Sequence, residues 1–295
     1  MIEFLRKVTN IKLDEPMSAH TTFKVGGAAD IFAEPKGTEE LQGIIKICQE
    51  NKIPYFILGN GSNLLVKDKG VRGVVVSLLG LNEISLIEDE KIHAEAGVLL
   101  KDLAEFAYEN SLSGFEFLHG IPGSVGGGVF MNAGAYDGEV KDVFVSANCV
   151  DSSGTLFELD SAKMDFAYRK SSAQTAKLII ANAVFRGKNC TKSEIDNKMQ
   201  DLKERRNSKQ PLDMASAGST FKRPPGHFAG KLIMDAGLRG HQIGGAQISE
   251  KHCGFIINKG NATAKDILDL IAHTQKTVNE KFDIVLETEV KVIGE

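Results

Sequence analysis

Apolar positions recur at helical spacing in TEELQGIIKICQE, where Leu41, Ile44, Ile45 and Cys48 share one face; the run IPYFIL that follows has the length of a buried strand. A second helix is predicted over residues 99–108. Short β-rich runs surround it: VRGVVVSL (71–78), KIHAEAGV (91–98), TLFELD (155–160) and LIIANAVFR (178–186). From Thr191 the texture changes. TKSEIDNKMQDLKERRNSKQP reads as a charged amphipathic helix with Ser193 and Asp196 at capping-box spacing, ended by Pro211. NATAKDILDLIAHTQKTVNEKF repeats the device, with Thr263 and Asp266 as the box and Ile267, Leu270, Ile271, Thr274 and Val278 on one stripe. The terminal IVLETEVKVIG alternates, which places Glu287, Glu289 and Lys291 on one face of a strand. So many strands interleaved with helices predict an α+β fold with a domain boundary near residue 189.

The balance of 35 basic against 39 acidic residues, net charge −4, carries no basic run and argues against a nucleic-acid polymer as partner. Cys48, Cys149, Cys190 and Cys253 lie far apart with neither CxxC nor CxxH spacing, so neither a disulfide framework nor a metal site is expected. The N-terminus lacks the apolar core of a signal peptide, and no uncharged run approaches the ~18 residues of a membrane span. These features predict a cytoplasmic protein without membrane attachment. Nothing in the motifs specifies an oligomeric state.

Two glycine clusters carry the candidate chemistry. LHGIPGSVGGGVFMNAGAY (118–136) holds glycines at 120, 123, 126, 127, 128 and 134, and YFILGNGSNLLV runs a strand into Gly59, Asn60, Gly61, Ser62 and Asn63. The second departs from a GxGxxG fingerprint at Leu64 and opens no helix, and GxxxxGK[ST] is missing. Successive small residues in a turn can still aim backbone N–H groups at an anion, and two such clusters, with KVGGAADIF (24–32), suit a pyrophosphate. No GxSxG, HExxH or close histidine pair is found. YRKSS (168–172), AGSTFKRP (217–224) and the terminal LETEV remain as reactive candidates, each alone readable as a surface or turn segment.

Taken in order, HTTFKVGGAADIF, LGNGSNLLV, GFEFLHGIPGSVGGGVFMNAGAYDGE, FAYRKS, AGSTFKRP, IGGAQISEKHCGFIIN and LETEVKVIGE resemble the UDP-N-acetylenolpyruvoylglucosamine reductase (MurB) family, over essentially Thr21 to Gly294. The resemblance implies an FAD-binding domain of the vanillyl-alcohol-oxidase (PCMH) type over 1–188, with lobes of roughly 1–80 and 81–188, and a smaller α+β substrate domain over 189–295. It implies FAD held by Gly59, Asn60, Gly61, Ser62, Asn63, Gly120, Gly123, Ser124, Gly126, Gly127, Asn132, Ala133 and Gly134, with NADPH as co-substrate and a nucleotide-sugar as substrate. It assigns carboxylate neutralisation to Arg169, proton donation to Ser219 and charge stabilisation or proton delivery to Glu289, with Glu287 on the same strand face. Tyr168, Lys209, Lys222 and Arg223 fall where substrate contacts are expected. The chain is too short for the substrate-clamping insertion of the longer subclass, and so resembles the shorter one. Two other readings stay open: an FAD-dependent oxidase of an alcohol or hydroxy acid, and a non-catalytic nucleotide-sugar or flavin binder.

Overall fold

The computed structural model describes residues 2–136 and 138–295. The chain divides into two compact units, neither continuous in sequence: Met1–Leu13, Ile31–Asn60 and Gly73–Arg206 form the first, and Asp14–Asp30, Gly61–Arg72 and Asn207–Glu295 the second.

The first unit has two apolar cores. The N-terminal one is built from α1 (Ile2–Val8), β1 (Asn10–Pro16), β2 (Ala28–Glu34), α2 (Thr38–Glu50), β3 (Tyr55–Leu58) and, past β4 (Leu64–Val66), β5 (Val71–Ser77). The order in that sheet is β1-β2-β5-β3, with β3 parallel to β5 from Tyr55↔Val74 to Leu58↔Ser77. The α2 stripe lies as expected: Leu41, Ile44, Ile45 and Cys48 are fully buried, and burial pushes the Cys48 thiol up to about 11. IPYFIL is less enclosed than its apolar run suggests: β3 is the edge strand, and only Leu58 is buried while Tyr55, Phe56 and Ile57 are half-buried.

The second core lies on a five-stranded antiparallel sheet formed by β6 (Ile84–Glu88), β7 (Lys91–Glu95), β8 (Phe144–Val150), β9 (Leu156–Asp160) and β10 (Ile179–Arg186), in the order β9-β8-β10-β7-β6. Two helices complete it: α3 (Leu100–Glu109) buries Leu100, Leu103, Ala104 and Ala107, and α4 (Val125–Met131) packs on β10. Phe144 meets Phe166 and Phe185 edge to face at 5.0 and 6.2 Å. Helix α5 (Lys192–Lys209) begins one residue after Thr191, and its cap differs from the expected Ser193–Asp196 pair. Thr191 and Glu194 form it: the Thr191 hydroxyl and amide donate to Glu194 Oε2 at 2.6 and 3.3 Å, and the Glu194 amide donates back to Thr191 Oγ1 at 3.4 Å.

In the second unit α6 (Ala229–Asp235) and α7 (Ala264–Phe282) enclose one core with the antiparallel strands β11 (Gln242–Ile243), β12 (Ala246–Ile248) and β13 (Ile256–Asn258). The Thr263–Asp266 box forms as expected, and Ile267, Leu270, Ile271, Thr274 and Val278 are the buried stripe of α7. The terminal strand is shorter than its alternation suggests. Only β14 (Lys291–Ile293) is regular, parallel to β4, whereas Thr288 bridges Phe221 in an antiparallel sense. The chain thus changes pairing partner at Val290, and Glu287 and Lys291 belong to different ladders.

Candidate functional site

In the first unit the two glycine clusters meet. A Cβ on Gly59 would lie 2.6 Å from Ser124 Oγ, and Asn60 Nδ2 donates to the Pro122 carbonyl at 2.9 Å. Ser124 occupies the N-cap position of α4 with extended backbone, yet its hydroxyl makes no capping bond and is buried without a partner. A buried hydroxyl left unpaired costs about 1–3 kcal/mol, so its retention points to a group that completes it.

The stretch 118–136 is not bare turn throughout, because α4 runs through its three consecutive glycines. Val125 and Gly126 donate their amides to the carbonyls of Val98 and Ala96, each at 2.8 Å. Gly126 and Gly128 are buried, and Cβ atoms there would press on Ala96 Cβ at 2.9 Å and Leu100 Cδ2 at 3.0 Å. Gly126, expected at the cofactor, is therefore a packing glycine whose amide is already used. Gly127 is exposed, and a Cβ there would meet only Ser124 Oγ, at 3.7 Å. Gly123 packs near Leu100, while Gly120 lies against the Arg206 guanidinium. Arg206 was not singled out in sequence, where it lies within a charged helix; burial holds it below the ordinary guanidinium range.

Asn132 is bonded within the protein through its side chain. It is fully buried at φ 43°, and its amide donates to Ala167 O at 3.1 Å and Glu139 Oε2 at 3.2 Å while its Oδ1 accepts from the Lys141 amide at 3.0 Å. Its side chain is committed to holding the protein. Ala133 continues the turn with its amide on Gly128 O at 2.8 Å. Gly134 O accepts from Arg169 Nη2 at 3.3 Å, and the Arg169 guanidinium stacks 5.1 Å from the ring of exposed Tyr168. Arg169 itself sits at φ 55°, in the left-handed region.

The second unit holds Ser219 and Glu289. Residues 215–222 run between the strand 255–258 and the segment 287–289. The Thr220 amide donates to Gly254 O, and its carbonyl accepts from the Glu289 amide, both at 2.8 Å. This register sets Thr220 opposite Glu289 and places Ser219, which is exposed, one residue from that pair. Asn63 secures the same strand, donating its amide to Glu289 O at 3.2 Å. The geometry separates the two glutamates: exposed Glu287 pairs with Lys222 Nζ at 3.0 Å, whereas Glu289 is half-buried. Lys222 thus answers a carboxylate of its own ladder. Arg223 stacks 4.0 Å over exposed Phe228, and Lys209 is the exposed last residue of α5. At Gly61, φ 61°, a Cβ would strike the His20 carbonyl. Its own carbonyl accepts from the Thr22 amide at 3.2 Å, and Thr22 Oγ1 is a second buried hydroxyl without a partner. Thr22 was not singled out in sequence, where an ordinary TT pair gives no signal of burial. Ser62 is half-buried.

The model of the UDP-N-acetylenolpyruvoylglucosamine reductase C-terminal domain matches residues 210–293, and that of an FAD binding domain matches residues 29–160. The UDP-N-acetylenolpyruvoylglucosamine reductase of Clostridium kluyveri is 54% identical over 288 residues, spanning 98% of this chain and 94% of that protein. The chain belongs to the UDP-N-acetylenolpyruvoylglucosamine reductase family. Its structure is similar to the crystal structure of that reductase (MurB) from Thermus caldophilus, with TM-score 0.83 and 36% identity over 97% of this chain and 99% of that one. A glucose oxidase variant of Phl p 4 shares the fold alone: TM-score 0.51, 12% identity, 65% of this chain and 44% of that one. The fold is thus α+β with an FAD-binding domain, and the glucose oxidase variant shares its architecture.

The residues fit FAD. In the first unit the orphaned Ser124 hydroxyl offers it a polar contact, and exposed Gly127 offers backbone without a side chain in the way. Among the described residues no group of three or more His, Cys, Asp or Glu is placed to hold a metal ion, and no helix is long and apolar enough to cross a membrane.

Proposed function

We propose that this chain is an FAD-dependent reductase that converts UDP-N-acetylglucosamine enolpyruvate to UDP-N-acetylmuramate with NADPH, in peptidoglycan precursor synthesis. The observation that carries it is the near full-length identity of 54% to a named reductase, joined to a Ser219–Thr220–Glu289 ladder that oxidase chemistry does not call for. Oxidases of this fold are related at 12% identity and support the architecture only.

When bound, FAD supplies the hydride taken from NADPH. Residues of the chain manage the charge and the proton. A hydride added to the vinyl carbon of the substrate pushes charge toward its carboxylate, and Arg169 carries the planar guanidinium suited to grip that carboxylate at two points. Ser219 delivers the proton to the carbon bearing the carboxylate. A serine hydroxyl is a weak acid, so it acts only on a strongly basic carbanion held at the right distance. Glu289 stabilises charge beside it, anchored by the bond of its amide to Thr220. Tyr168, Lys209, Lys222 and Arg223 take the diphosphate and carboxylate of the nucleotide-sugar, with FAD assigned to 1–188 and substrate to 189–295. Four free cysteines suit a reducing cytoplasm as the site of action.

Steady-state NADPH oxidation tests this reading. Oxidation that requires the enolpyruvyl sugar and yields the lactyl ether supports it. Oxidation driven by oxygen alone, with the sugar inert, would replace it by the oxidase reading.

A further inference from the structure

The conformation of Arg169 needs explaining. Ala167 and Lys170 exchange both backbone hydrogen bonds at 3.0 Å, closing a two-residue turn over Tyr168 and Arg169. Arg169, at φ 55°, takes the third position of that turn, where glycine is the relaxed residue. An arginine stays there only if its surroundings leave no alternative.

Three side chains supply that constraint, and all of them tie the turn to the C-terminal end of α4. Asn132 Nδ2 donates to Ala167 O at 3.1 Å. Buried Ser171 donates its hydroxyl to Phe130 O at 2.7 Å. Gln174, half-buried on the single helical turn Ser172–Thr175, bonds two carbonyls with one amide: Arg169 O at 3.1 Å and Phe130 O at 2.8 Å. Of the three, only Gln174 grips Arg169 itself.

We propose that Gln174 is a positioning residue for Arg169, its amide pinning the Arg169 carbonyl to that of Phe130 so that the left-handed conformation, and with it the aim of the guanidinium, is held. The inference rests on the reading of Arg169 as the carboxylate-binding group. A terminal amide has two N–H donors, and here both have a carbonyl to satisfy. Without them the Arg169 carbonyl loses its tie to Phe130, which loosens the hold on φ 55° and the aim of the side chain at Gly134 O. A misplacement of about 1 Å is enough to cost on the order of 100-fold in a step that depends on alignment.

Gln174→Met keeps the bulk and removes both donors. Recovery of flavin absorbance with the enolpyruvyl sugar should slow about 10- to 100-fold, while bleaching by NADPH stays within about twofold. In an Arg169→Ala background the same substitution should add less than about twofold, because two residues acting through one interaction are not additive. Full multiplication of the two effects, or unchanged recovery in Gln174→Met, overturns the positioning role. Normal recovery in Arg169→Ala alone is a separate result that removes the role of Arg169 itself. Should Gln174→Met not fold, Gln174→Glu decides. A carboxylate donates nothing to the two carbonyls and a protonated carboxyl donates once, so the rate relative to the unsubstituted chain must rise as pH falls. A flat ratio contradicts the proposal.

Discussion

At the residue scale the account turns on Ser219, whose hydroxyl has no acidity of its own to offer and works through placement. Ser219→Ala should retain FAD and bleach normally with NADPH, while recovery with the enolpyruvyl sugar falls by roughly 10²- to 10⁴-fold, the usual cost of losing a general acid. Stopped-flow absorbance checks it, and unchanged recovery takes Ser219 out of the mechanism. Ser219, Arg169 and Glu289 could be proposed from sequence because each sits in a motif that a short string displays. Alternation alone puts Glu287 and Glu289 on one face, and the preference for Glu289 came from the family motif. In the fold Glu287 pairs with Lys222, while the Glu289 backbone is bonded to Thr220 and Asn63. Asn132 read as a cofactor residue because the family resemblance carries FAD contacts across the MNAG segment. In the fold its side chain bonds the protein. Gln174 and Arg206 gave no signal, because their significance lies in which distant carbonyl or glycine they meet.

At the scale of elements the informative case is α4. Three consecutive glycines argue against a helix at about 1 kcal/mol each relative to alanine, and sequence reading accordingly left the stretch as bare turn. Tertiary contact overrides propensity: Ala96 and Leu100 come too close for any side chain at 126 and 128. Two neighbouring substitutions should therefore behave oppositely. Gly126→Ala should lower the apoprotein Tm, at a cost of roughly 1–3 kcal/mol for forcing a methyl into a packed contact. Gly127→Ala should leave that Tm unchanged or raised while weakening FAD retention, since only Ser124 Oγ stands near it. Thermal melts of the apoproteins and FAD titrations read both, and equal behaviour of the two variants contradicts the division between packing and cradle. The displaced cap of α5 has a similar origin. Thr191–Glu194 and Ser193–Asp196 share the same spacing, and only the true first turn, beginning at Lys192, chooses between them. The Thr191 hydroxyl lowers the pKa of Glu194 in consequence.

For the whole molecule, alternation and helical stripes were enough to give α+β and the sites of the main helices, because buried faces must repeat with the period of their element. The FAD-binding architecture was legible only through family motifs, since composition has no signature for it. The non-contiguous units were not legible, because residues 14–30 and 61–72 reach their neighbours through folding back of the chain rather than through any local pattern. Global stability has one pH-sensitive point beside the Ser219 ladder. The His252 Nδ1 accepts from the Gly254 amide at 3.1 Å, and burial lowers its pKa from 6.5. The folded state thus prefers the neutral ring, so this contribution is complete above pH 6.5 and is lost as pH falls from there toward the folded pKa, the unfolded chain binding the proton first. Denaturant melts at about pH 7.5 and about pH 5.5 should show a smaller stability difference in His252→Gln than in the unsubstituted chain. An identical difference would contradict the assignment.

The most direct test of the central claim is the anaerobic visible spectrum of the purified protein, first with NADPH and then with UDP-N-acetylglucosamine enolpyruvate. The account predicts flavin bands that bleach with NADPH and return with the enolpyruvyl sugar. A protein that stays bleached contradicts the substrate, and a colourless one that FAD does not reconstitute contradicts the reading of the glycine clusters themselves.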